Sequence, residues 1–302
     1  MNPRLDTLAT ALYVRIDDLL AENPGWAPQR PAVGIKPELA DAGLVALAVV
    51  SALLGFDSES RFVCYAKAHL RPWFPYLPNR DGCNKRLRRS GEMIARVVER
   101  LACECPCWSD DVWLADSTPI GCGRSRQTRR RSELAGWAQY GYSASRSRWF
   151  WGLRLHLLTT PAGLPAAFAP AGAKADEREI CADMIASAGL ARPGQTLIAG
   201  KGYRSAQFEA RLAQAGITVI RPATKKEPSR PGARFPRPLR QIIESVNNTP
   251  KTQLSLERHR GRTRAGVAVR ILTRILAPTA AIWHNQTTHQ PGPARSLTTY
   301  DH

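Results

Sequence analysis

The periodicity of the apolar residues changes once along this chain, near residue 110, and that change limits the folds open to it. Before it, apolar residues recur three and four apart, the spacing of helices with one buried stripe. After it they come in short runs punctuated by Gly and Pro, the spacing of strands. Residues 39–54 are apolar on almost every side and follow Pro37, a residue suited to the first helical position, so a buried central helix is expected there. Residues 5–20, 58–69 and 84–102 carry narrower stripes and should pack around it. The last of these sets Lys85, Arg86, Arg88, Arg89, Arg96 and Arg100 beside Leu87, Ile94, Val97, Val98 and Leu101. One stripe packs, and the other meets water or phosphate.

Beyond the change, residues 112–115, 148–159, 165–169, 196–199 and 217–221 read as strands, with a turn at Pro161-Ala162-Gly163. Residues 177–188 and 205–215 read as helices. Strands first, then strand and helix in alternation, predict an α/β fold with a mixed sheet. With 302 residues of which 43% are hydrophobic, the chain has material for a real core.

Lys and Arg outnumber Asp and Glu by 43 to 25, a formal charge of +18 that solubility alone does not require. A polyanionic partner follows, and DNA, RNA or an anionic membrane would satisfy it. The longest apolar run, residues 43–56, falls short of the roughly 20 residues of a membrane span, and no basic-then-apolar signal opens the sequence. A cytoplasmic protein without a membrane partner, at the nucleoid in a bacterial cell, is therefore expected. Seven cysteines are an odd number, and without an export signal reduced thiols are the expectation. The alternate spacing of Cys103, Cys105 and Cys107 does not match a zinc knuckle, and no second ligand pair stands at a suitable distance.

Two segments concentrate the charge. Residues 124–131 include Arg124, Arg126, Arg129 and Arg130; residues 225–240 mix four prolines with Lys225, Lys226, Arg230, Arg234, Arg237 and Arg240. Prolines at that density exclude regular structure, so the second segment should be an extended loop able to follow a phosphate backbone. Trp137, Tyr140, Tyr142, Trp149 and Trp151 lie near the first. Large aromatics usually bury, which places most of them in the core, although a base displaced from a duplex could stack on one.

Three further stretches carry the chemistry. Trp113-Leu114-Ala115-Asp116-Ser117-Thr118-Pro119 is an apolar strand expected to end on Asp116, whose side chain would project at the sheet edge. Leu197-Ile198-Ala199-Gly200-Lys201-Gly202-Tyr203 is a buried strand ending in a tight turn. Residues 237–251 offer Glu244 on a helix, with Arg240 before it and Lys251 two turns beyond. Gly200-Lys201 is no phosphate-binding P-loop: Gly194 is one residue too far away, and Gly202 stands where Ser or Thr is needed. The first and third of these stretches, with the basic-faced strand Phe150–Leu157 between them and Leu256-Glu257-Arg258-His259 after Lys251, resemble in order and separation the insertion-sequence transposases of the DDE superfamily, most closely the IS982 family, from about Trp113 to the C-terminus.

The resemblance implies an RNase H-like catalytic core over residues 109–283, an all-helical DNA-binding and dimerisation domain over 1–108 and a tail over 284–302. It implies two divalent ions, Mg²⁺ or Mn²⁺, held by carboxylates from separate segments to cut and join DNA at transposon ends and target. Asp116 matches the bridging ligand and Glu244 the helical one, while Lys251 and Arg240 match phosphate contacts. The DNA-binding set is completed by Arg124, Arg126, Arg129, Arg130, Lys201, Lys225 and Lys226. A homo-oligomer is implied as well. Three positions depart from the family: Gly200 stands where the second aspartate would be, Arg237 replaces a tyrosine and Pro250 a leucine. Asp176 is a poor substitute for the missing ligand because it is placed to cap the helix from Glu177. The expected function is thus a transposase impaired by loss of one carboxylate. Its rivals are an inactive DNA-binding remnant that regulates transposition and an RNase H-like nuclease of other purpose.

Overall fold

The structure, a computed structural model, describes residues 3–30, 36–123, 125–143, 147–223, 227, 241, 244–245, 253–289, 292–297 and 300. Along the chain run helices Pro3–Glu22 (α1), Asp41–Leu53 (α2), Glu59–His69 (α3), Arg80–Arg89 (α4) and Gly91–Cys103 (α5). Strand Val112–Gly123 (β1), helix Arg126–Arg131 (α6) and strands Gln139–Ser143 (β2), Arg148–Thr159 (β3) and Pro165–Gly172 (β4) follow. Helix Glu177–Ser187 (α7), strand Thr196–Ala199 (β5), helix Ala206–Gln214 (α8), strand Thr218–Ile220 (β6) and helix Arg264–Thr287 (α9) complete the order. Contacts divide the chain into two units, Met1–Cys105 with Pro250–His302, and Pro106–Thr249. The expected 109–283 segment spans both.

In the first unit α2 is buried nearly all round, as its composition requires. It starts at Asp41 and not at Pro37, because Asp41 is the residue with partners to hold a helix start. Its carboxylate accepts from Arg30 Nη2 at 2.5 Å and Arg86 Nη2 at 2.6 Å. One arginine of the basic stripe is therefore tied to the core. The expected helix over 84–102 is two helices: Ser90 closes α4 and opens α5, and its hydroxyl donates to the Arg86 carbonyl at 3.0 Å. A side chain bonding back to its own turn in this way bends or breaks a helix.

Helix α9 was not legible from periodicity, because Arg270, Arg274, His284 and Asn285 interrupt its apolar pattern. Each is satisfied inside the unit. Arg270 pairs with Glu59, and Arg274 Nε donates to the Leu254 carbonyl at 2.7 Å, with burial pulling its guanidinium down to about 10. The Tyr300 hydroxyl lies 2.9 Å from His284 Nδ1 and donates to Asn285 Oδ1 at 2.6 Å. By length and composition α9 is the one described helix that could cross a membrane, but most of it is buried within the unit, where it packs on α5, α2 and α4.

The second unit is a mixed α/β structure around a six-stranded sheet of order β2-β3-β1-β5-β6, with β4 paired to β3 beyond β2. β1 to β4 pair antiparallel, and β5 and β6 join β1 in parallel. Helices α7 and α8 cover one face, closing a core of Trp113, Ala115, Leu158, Cys181, Ile185, Leu197, Phe208 and Leu212. The strands expected at 148–159 and 196–199 form with those bounds. Two short elements were unforeseen: β2, and α6, which Ser125 starts by accepting from the Thr128 amide at 3.0 Å.

Candidate active site

Asp116 does not end its strand. β1 continues to Gly123 because β3 pairs with it throughout, Asp116 opposite Leu157 and Gly123 opposite Trp151. What ends beside Asp116 is the parallel ladder with β5, whose last pair is Ala115 with Ala199. Beyond that pair β5 no longer bonds to β1, the setting in which a strand tolerates Pro119. The next residues on the two strands are Asp116 and Gly200. Strand alternation sends both to the face opposite Ala115 and Ala199, which lie in the core under α7 and α8. The sheet thus brings together two positions 84 apart in sequence that the family resemblance pairs.

Gly200 has φ −75° and ψ 174°, extended backbone open to any residue. A Cβ there would have no atom of the described residues within 4 Å. Neither backbone nor packing demands a glycine. A single 3-10 turn, Lys201–Tyr203, follows, with Lys201 exposed and the Tyr203 ring buried against Phe208. Burial first, then the nearby Cys181, Glu177 and Asp116, raises the Tyr203 phenol well above its usual range.

The opposite face carries charges that neutralise one another. Arg154 Nη1 donates to Glu177 Oε1 at 2.9 Å and to Ser117 Oγ at 3.0 Å, and Ser117 Oγ donates to Glu177 Oε1 at 2.8 Å. His156, the register partner of Ser117, is fully buried, and neither ring nitrogen has a hydrogen-bond partner among the described residues. Burial lowers its pKa to about 4, against a smaller opposing pull from Glu177, so the ring is neutral at pH 7. Sequence reasoning missed this cluster because its members are 60 residues apart and share no motif. Asp176 caps α7, accepting from the Arg178 amide at 2.8 Å, and its ion pair with Arg178 holds it down to about 2. It is occupied as a cap, as its position before Glu177 suggests.

Glu244 is helical and exposed. Arg126 and Arg130 are exposed on α6, and the Arg129 guanidinium lies 4.4 Å from the centre of the Tyr140 ring. Arg124, Lys225, Lys226, Arg240 and Lys251, with Arg237 and Pro250, lie outside the described residues. Among the described residues no group of three or more His, Cys, Asp or Glu is arranged to hold a metal ion. Asp116 and Glu244 are the carboxylates of the expected set that the described residues supply, fewer than a complete two-ion centre needs.

The aromatic residues near α6 correct the expectation that most are core. Trp151 is buried, but Trp149 is 72% exposed, Tyr142 43% and Tyr140 42%. The cysteines are free thiols. Burial pushes Cys122 up to about 11 and Cys181 to about 12, and Cys105 Sγ donates to the Leu101 carbonyl at 3.2 Å. These groups pack and do not react.

A family profile described as a transposase DDE domain matches residues 107–264, just over half of the chain. That span takes in Asp116, Gly200, Glu244 and Lys251. Neither the curated proteins nor the solved structures include a match to the chain.

Proposed function

This chain belongs to the transposase DDE domain family, and from that premise we propose that it is an insertion-sequence transposase of the IS982 type whose catalytic carboxylate set is incomplete at Gly200. The observation that carries this reading is that Asp116 and Gly200 follow the last pair of one parallel ladder, with room at position 200 among the described residues. Four strands paired antiparallel, β1 to β4, with the parallel β5 and β6 running on from β1 support an RNase H-like core. In the proposal Asp116 and Glu244 keep two of three ligand positions for Mg²⁺ or Mn²⁺. Lys251 and Arg240 contact phosphate near the cut, and Arg124, Arg126, Arg129, Arg130, Lys201, Lys225 and Lys226 hold DNA. The helices before residue 108 would serve end binding and self-association, in the cytoplasm at the nucleoid.

The chain as it stands is proposed to bind transposon ends and to cut them scarcely at all. An inactive, end-occupying regulator is the second reading, favoured by the same open position at Gly200. The test is to incubate the full chain with Mg²⁺ and a supercoiled plasmid carrying the DNA that flanks this reading frame. Retention without cleavage is expected. Affinity should fall by orders of magnitude over a few-fold rise in salt if about six or more phosphates are neutralised. Robust cleavage would contradict the assignment of Gly200 as a lost ligand, and salt-independent or absent retention would contradict DNA binding.

A further inference from the structure

The hairpin of β2 and β3 at the edge of the sheet presents rings to solvent where a fold normally hides them. Tyr142 pairs with Trp149 and Tyr140 with Trp151 across the ladder, so the four rings share one face. They divide by function. Trp151 is buried, and the Cβ of any residue replacing Gly123 would meet its ring at 3.3 Å, so it anchors the face to β1. Trp149 projects into water, with Tyr142 edge-on against it at 5.4 Å between ring centres and 60° between planes. That contact steadies the indole from one side, and at 72% exposure most of its surface stays open to solvent.

The surroundings are cationic. Arg129 is stacked on Tyr140, and Arg126, Arg130 and Arg131 on α6 and Arg148 next to Trp149 are all exposed. A fixed, open indole beside arginines suits a partner with flat π-faces and regularly spaced negative charge. Duplex DNA offers the charge but keeps its faces stacked inside, whereas unpaired nucleotides offer both. We propose that this hairpin and α6 form a stacking platform for unpaired DNA, with a base lying on Trp149 and the neighbouring phosphates held by the exposed Arg126 and Arg130 of α6. The platform rests on the reading of the chain as a DNA-handling transposase and adds to it a preference for DNA that is locally unpaired.

The experiment compares binding of the full chain to a blunt duplex and to the same duplex with a single-stranded thymidine tail. The wild type should prefer the tailed DNA. Trp149→Ala should weaken tailed binding roughly 5- to 150-fold, the range a lost base stack commands, and leave blunt binding unchanged. Trp149→Phe, which keeps a ring, should recover most of the preference. Because Trp149 is exposed, thermal melting should show that both variants remain folded. Equal loss on both DNAs, or no loss on either, overturns the platform while leaving DNA binding intact. A wild type that binds neither DNA overturns the DNA reading itself. If Trp149→Ala alters the sedimenting mass of the chain and not its tail preference, the face joins two copies and the platform is wrong.

Discussion

The middle of β3 and the end of β5 each carry a glycine, and the two glycines exist for opposite reasons. At Gly152 a Cβ would stand 2.0 Å from the Ile120 carbonyl oxygen and 3.0 Å from the Cys122 amide nitrogen, because the bulged stretch of β1 presses its backbone onto β3. Packing forbids any side chain there. At Gly200 nothing among the described residues lies within 4 Å of a Cβ and the backbone is extended, so those residues leave room for a side chain. A glycine that the fold requires says nothing about chemistry. A glycine that the fold does not require, beside Asp116, leaves room for a side chain, and the proposal of a lost ligand rests on that room.

The same contrast runs through neighbouring residues. Along β3, Arg154 is bound to Ser117 and Glu177, and His156 is sealed in the interior. The Arg154 guanidinium is committed to holding the sheet against α7. Beyond Ala199 the chain leaves the ladder, and Gly200 and Lys201 are exposed.

The comparison can be broken by substitutions in order of severity. Gly152→Ala should be the worst, costing more than about 4 kcal/mol or preventing folding, since the colliding atoms are backbone. Urea unfolding or loss of soluble protein would register it, and a fully stable variant would show that β1 and β3 do not approach as described.

Next comes the pH response of His156. The folded protein keeps the ring neutral down to about pH 4, whereas the unfolded chain protonates it near 6.5. Stability from this residue is therefore fully present above 6.5, falls as pH drops from 6.5 toward 4, and amounts to about 3 kcal/mol over the window. An NMR titration in which the His156 ring stays neutral at pH 5.5 is the expected result; protonation there would mean that water reaches it.

The smallest effect should come from Gly200→Asp. Stability should change by less than about 1 kcal/mol, because no contact is crowded and an exposed strand end tolerates substitution. A melting temperature lowered as far as that of Gly152→Ala would erase the distinction between the two glycines.

How much of this was legible in advance depended on the range of the interactions. The strands at 148–159 and 196–199 could be read because a continuous apolar run bounded by Gly and Pro suffices to mark a buried strand. The length of β1 could not be read, because its extension past Asp116 depends on pairing with β3, some 40 residues on. Helix α9 was hidden by polar residues whose partners are distant in sequence, among them Glu59 for Arg270. At the site, Asp116 and position 200 could be paired through family resemblance, whereas the Arg154–Glu177–Ser117 cluster has no sequence signature and appears only when α7 is laid on the sheet. The exposure of Trp149 was likewise beyond composition, which favours burial for so large a ring.

The central claim is that position 200 is a vacated ligand site beside Asp116, and calorimetric titration of Mn²⁺ into the full chain tests it most directly. The unmodified protein should bind the ion weakly or not at all. Gly200→Asp should acquire a site, and Gly200→Asp combined with Asp116→Ala should lose it again, because the two carboxylates act together. If the unmodified chain already binds Mn²⁺ as tightly as Gly200→Asp, or if Gly200→Asp gains no site, position 200 is not the missing ligand.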